Sequence, residues 1–183
     1  MTYLSLGSRC FVAVVFALAV LGKARNRREL EEFVRATRSL IAAAAPRLRL
    51  GRRGLWAAAL GVLAVEAAVC VLVLLPSWWP LGLALSAVLL AVFGAATTLA
   101  LHRGVRALCH CFGGSAVPLS RWHVVRDAVI LTVAVAGIVV PDRPGGEAAG
   151  FAVTVAVAAV AAMVTSRLDD ILELFTSGAD SLS

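Results

Sequence analysis

Charge is scarce in this sequence: Asp, Glu, Lys and Arg together make up 15% of its 183 residues, while 61% are apolar. That shortage excludes an ordinary soluble domain, because a mean hydropathy of +0.92 leaves too little polar surface to clothe so much Ala, Val and Leu in water. A bilayer removes the difficulty, since helices there keep an apolar exterior. Aromatic residues are also few, at 7%, which weakens any nucleic-acid reading. The surplus of 17 Lys plus Arg over 11 Asp plus Glu therefore bears first on membrane orientation. Strict apolar–polar alternation is missing, so helices remain the spanning structure, lipid offering backbone groups no partners. No internal repeat or low-complexity linker divides the chain, which reads as a single integral membrane domain over residues 1–183.

What is present is a series of apolar runs. Five stand out: Tyr3 to Gly22, Leu55 to Leu75, Leu81 to Leu101, Val124 to Val140 and Ala148 to Thr165. The second and third each hold 21 residues, and about 1.5 Å of rise per residue carries such a helix across the roughly 30 Å hydrocarbon layer. The expected fold is thus all-α, a polytopic transmembrane bundle of four core helices plus a fifth, C-terminal one. The first run also admits a signal-peptide reading, with Ala17-Leu18-Ala19 as the small-residue site, but its apolar character begins at Tyr3 and Leu4, ahead of the first charge. Cys10 does not suit a lipoprotein, because Arg9 stands where a small residue is needed. Basic residues settle the expected orientation. Fifteen lie in Lys23 to Arg53, His102 to Arg126 and the tail, against Arg9 and Arg143 opposite. This predicts five crossings in the cell membrane, an outside N-terminus and a cytoplasmic C-terminus. Pro76 to Pro80, with Trp78 and Trp79, and Pro141 to Glu147 become outer turns. Within the first cytoplasmic link, Leu30, Phe33, Val34, Leu40 and Ile41 recur at helical spacing, and Glu31 and Arg35 stand at i, i+4. The pattern predicts an amphipathic helix on the inner leaflet, as a lipid anchor or a docking surface.

Four cysteines occur: Cys10, Cys70, Cys109 and Cys111. One residue separates the last two, so a disulfide between them closes a small, strained ring that reduces readily. Arg103 and Arg106 nearby favour thiolate. The bland alternative is two unpaired thiols in a loop. His110 between them, with His102 and His123 close in sequence, also admits a soft-metal site for copper(I) or zinc, but no second cytoplasmic cysteine pair supplies the ligands of a closed zinc site, and no metal is assigned. Cys-x-x-Cys-His is missing, which excludes c-type haem. Glu66 lies deep in the second run, where an acid pairs with a cation or moves protons; Arg9 is the expected cation. Cys70 follows Glu66 at i+4 on the same face. Cys10 and Cys70 in the outer half, with Cys109 and Cys111 at the inner surface, outline an electron relay, against which stands simple packing of two small side chains.

At these residues the chain resembles the MauE branch of the MauE/DoxX membrane-protein family, the methylamine-utilisation proteins. The match is Cys109-His110-Cys111-Phe112-Gly113, then Ser120-Arg121-Trp122, then Arg126-Asp127 leading into an apolar helix. Arg9, with Gly22-Lys23 closing the first helix, is similar to the family's opening helix, and Glu66 falls where its second helix carries an acid. The resemblance covers about Arg9 to Val140. Ala24 and Leu63 depart from the family's Leu and Pro, and the run at 148–165 lies beyond its four-helix core. The resemblance implies a membrane protein tied to redox chemistry, whose founding members support maturation of the disulfide-rich small subunit of methylamine dehydrogenase and act beside thioredoxin-like partners. The expected function is thiol-disulfide maturation of exported proteins; the competing ones are soft-metal binding or transport, and a noncatalytic assembly scaffold. An exported client and a cytoplasmic Cys109 to Cys111 segment leave two alternatives: electrons cross the membrane, by way of Cys70 and Cys10, or the charge rule misplaces the segment, and the charge rule carries more weight. Neither a cofactor nor an oligomeric state is legible.

Overall fold

The structure, a computed structural model, describes residues 2–104, 108–109, 117–118, 121–140, 150 and 152–165. Over these the chain is helical, save for one pair of two-residue strands. In order come α1 (Thr2–Ala24), α2 (Arg27–Ala44), α3 (Arg52–Leu74), α4 (Trp79–His102), β1 (Leu108–Cys109), β2 (Val117–Pro118), α5 (Arg121–Val139) and α6 (Ala152–Thr165). Among the described residues four helices, α1, α3, α4 and α5, are long and apolar enough to cross a membrane. They stand in a ring in the order α1, α3, α4, α5 and back to α1, each antiparallel to its neighbours, with α1 and α4 touching across the middle. Their outer faces leave Val71, Leu74, Val88, Val92, Val129 and Ile138 exposed, a surface that lipid satisfies and water does not. Exposed Trp78 and Trp122 mark the two ends, as headgroup-level anchors do.

Two buried hydroxyls close onto their own helices, Ser8 Oγ donating to the Ser5 carbonyl at 2.8 Å and Ser86 Oγ to that of Leu83 at 2.7 Å, so neither is unmet in an apolar interior, whereas the buried Ser5 Oγ has no hydrogen-bond partner among the described residues. The α3–α4 hairpin is tight because of Gly82. A Cβ there would lie 2.7 Å from the Val73 backbone nitrogen. Gly137 serves the same purpose where α5 crosses α1 and α4, its missing side chain leaving room for Ser8 and Leu83.

Three expectations change. The fourth run starts three residues early, at Arg121, so Asp127 sits in the second turn of α5 rather than at its entrance. The fifth run forms a helix, but its described part holds 14 residues and falls short of a full crossing; residues 141–149 lie outside the described residues. α6 nevertheless joins the bundle. Gly150 faces Tyr3 and Thr154 faces Gly7, four residues on in both helices, and Ala158 and Ala162 continue the step into the core. Such matched steps mean that α6 runs parallel to α1, held by a stripe of small residues that permits close approach. The amphipathic helix is α2, opened by Asn26, whose side chain accepts from the Glu29 amide at 2.9 Å. Its apolar stripe is turned onto protein, not only onto lipid: Phe33, Ala36 and Ala43 are buried against α1, α3 and α4. On its exposed side the carboxylate that meets Arg35 is that of Glu32, at 3.5 Å, and Glu31 offers Arg35 its backbone carbonyl.

Candidate functional site

Glu66 lies on the inward face of α3 and is 5% exposed. Its partner is Lys23 in the last turn of α1, whose Nζ donates to Glu66 Oε1 at 2.5 Å. The expected pair with Arg9 does not form. Arg9 Nε donates instead to the Val73 carbonyl at 3.1 Å, and its guanidinium lies 5.4 Å from the centre of the Trp79 ring. Helix geometry explains the exchange of partners. Arg9 stands level with Val73, two turns along α3 from Glu66, or about 10 Å of axial rise. Every helical side chain leans toward its own N-terminus, so on antiparallel α1 and α3 Arg9 and Glu66 lean apart. Lys23, starting beyond Glu66 on the other side, leans toward it while Glu66 leans toward Lys23.

The pair does not stand alone. Lys23, 2% exposed, also lies 4.7 Å from the Phe33 ring of α2, a cation–π contact that ties the amphipathic helix to the bundle. Arg103, just past α4, holds the other end of α2 by donating to the Ala43 and Ala44 carbonyls at 2.5 and 3.4 Å, which satisfies orphan acceptors at a helix C-terminus. From α5 come Arg126 and Asp127, both buried and 3.4 Å apart, with His123 buried one turn before them. Lys23, Glu66, Arg126 and Asp127 line one partly open cavity of about 50 Å³, together with Val15, Phe16 and other apolar side chains of α1, α4 and α5. Two cations and two anions thus meet inside the bundle, the arrangement in which buried charge is tolerated. Sequence reasoning assigned no role to Lys23, Phe33 or Asp127 here. The signals were present in Gly22-Lys23 and Arg126-Asp127, but neither names a partner.

The cysteines are apart from this cavity. Cys10 and Cys70 are free thiols packed partly against the apolar core, and Cys70 Sγ points at the Ala13 carbonyl, 3.8 Å away. Both sit toward the α1 N-terminal end of the bundle, whereas β1, with Cys109, follows the opposite end of α4. The backbone of Cys109 pairs with Val117, and Leu108 with Pro118, in antiparallel register, and β1 packs beside α2. The Cys109 side chain, His110 and Cys111 lie outside the described residues. So do the contacts on which a soft-metal site or a strained disulfide depends.

A family model described as Methylamine utilisation protein MauE matches residues 1–140. No curated protein and no solved structure matches the chain. The matched stretch takes in α1 to α5 and ends before α6.

Proposed function

The chain belongs to the MauE family of membrane proteins, and from that premise we propose that it aids thiol-disulfide maturation of exported proteins, in the service of methylamine metabolism, with Cys109 and Cys111 as the exchanging pair. The observation that supports this reading is the pairing of β1 with β2, which ties the entry of the Cys-x-Cys segment to the end of the bundle where α2 lies. A one-residue spacing makes the disulfide strained, and strain favours exchange over storage. The chemistry balances in two steps. A thiolate of a thioredoxin-like dithiol partner attacks one sulfur; the intramolecular S–S bond breaks, a mixed disulfide forms and the displaced cysteine leaves as thiolate. The partner's second thiolate then attacks the mixed disulfide, leaving the partner oxidised and both Cys109 and Cys111 reduced. The reverse sequence oxidises the pair.

Trapping the intermediate tests the reading. With Cys109 as the sulfur that attacks an oxidised partner in the reverse sequence, Cys111→Ser removes the resolving thiol, and an adduct with a thioredoxin-like partner accumulates on nonreducing electrophoresis; with the roles reversed, Cys109→Ser traps it. No adduct from either variant, with normal maturation of exported disulfide proteins in the double variant, would rule out exchange and leave an assembly scaffold. Metal bound to the wild type and lost with His110→Ala would favour the soft-metal reading instead.

A further inference from the structure

One oxygen of the buried pair is left over. Glu66 Oε1 takes the lysine, while Oε2 is buried without a hydrogen-bond partner among the described residues. An unmet buried acceptor is costly, and more so when charged, so this oxygen is stable only where water or a proton reaches it. The adjoining cavity supplies room. Its volume of about 50 Å³ exceeds the ~10–15 Å³ that one water needs, and charged groups on three helices give such water its polar partners.

We propose that this cavity is a hydrated proton-exchange site in which Glu66 is the group that gains and loses the proton. Hydronium delivered along the cavity water leaves its proton on Oε2; an O–H bond forms there, a neutral water is released, and the reverse step returns the proton to water. The groups that set the balance are Lys23 from α1, Arg126 and Asp127 from α5 and the Cys70 thiol one turn along α3, while α2 and α4 face the carboxyl with Phe33 beyond the lysine and with Leu89, Leu90 and Phe93. Ionised, the four charges sum to zero; protonated, the site carries one net positive charge, and Lys23 loses its counter-ion but keeps Phe33. The site stands independently of the cysteine chemistry.

Infrared difference spectroscopy of the full chain in lipid vesicles, stepped between high and low pH in H2O and in D2O, reads the carboxyl directly. A carbonyl band of protonated carboxyl, shifted by D2O and lost in Glu66→Gln, is expected; Lys23→Met enlarges it wherever both forms coexist. Ala19 also lines the cavity, and Ala19→Leu fills it without touching a charge, so the band loses its fast phase of D2O exchange. This second variant decides the matter if Glu66→Gln fails to assemble. A band that survives Glu66→Gln, or the same exchange rate in Ala19→Leu as in the wild type, overturns the proposal.

Discussion

The partner of a buried charge is chosen by the direction in which helical side chains lean, and Lys23 and Glu66 illustrate how strongly. Removing one member of a buried pair strands the other, at a cost of about 3–5 kcal/mol, whereas apolar replacement of both is often neutral. Lys23→Met alone is therefore expected to lower thermal stability in detergent markedly, and Lys23→Met with Glu66→Leu to recover most of the loss. Arg9→Met with Glu66→Leu recovers nothing, because Arg9 gives its Nε to Val73 and its face to Trp79 and makes no pair with Glu66. Additive losses in the Lys23 and Glu66 double variant would disprove the coupling. This was the part of the site least legible in sequence. Hydropathy marks Glu66 as an acid in need of a cation, but axial register and lean come from two helices packed together, and no single segment contains them.

At the level of elements, legibility followed the length of the apolar run. α3 and α4 stand close to their expected limits because a mostly apolar run of 21 residues admits few alternatives. α5 begins ahead of its apolar run for a physical reason: Arg121, His123 and Arg126 look like loop residues, yet His123 and Arg126 turn inward and are buried. α2 was recognised by its periodicity, but not the protein surface that receives it. That surface yields a prediction. Phe33 is 3% exposed and carries the contact to Lys23, so Phe33→Ala removes a core aromatic worth about 3–5 kcal/mol. Amide hydrogen exchange should then quicken across α2 while α3 and α4 keep their protection. Uniform acceleration through the bundle would mean that α2 is not a separately anchored element. A second change acts on the hairpin: Gly82→Ala forces a methyl into the Val73 backbone, and overpacking of this kind costs about 1–3 kcal/mol.

For the whole molecule the unequal distribution of basic residues makes a directional claim. Nine arginines between Arg25 and Arg53 are exposed at the end where α1 finishes and α3 begins. Positive-inside logic predicts that this end faces the cytoplasm. Cysteines introduced at Ser77 and Ser115 in a chain otherwise without cysteine are expected to react with impermeant reagents from opposite sides, Ser77 from outside and Ser115 from inside. Strong outside labelling at position 115 would invert the orientation and remove the need for electrons to cross the bilayer. The parallel course of α6 with α1 turns the chain back along the bundle after α5.

Lys23 is also the chain's sole lysine among 17 lysines and arginines, which gives the molecule a single cleavage point for a lysine-specific protease. Buried to 2% exposure and wound into α1, that peptide bond is closed to a protease in the assembled protein and open once α1 leaves the bundle. Where opening and closing outpace cleavage, the rate of cutting follows the open population. One cut separates the first 23 residues from the rest, so the appearance of two fragments on a gel counts, without any label, how often the first helix comes away.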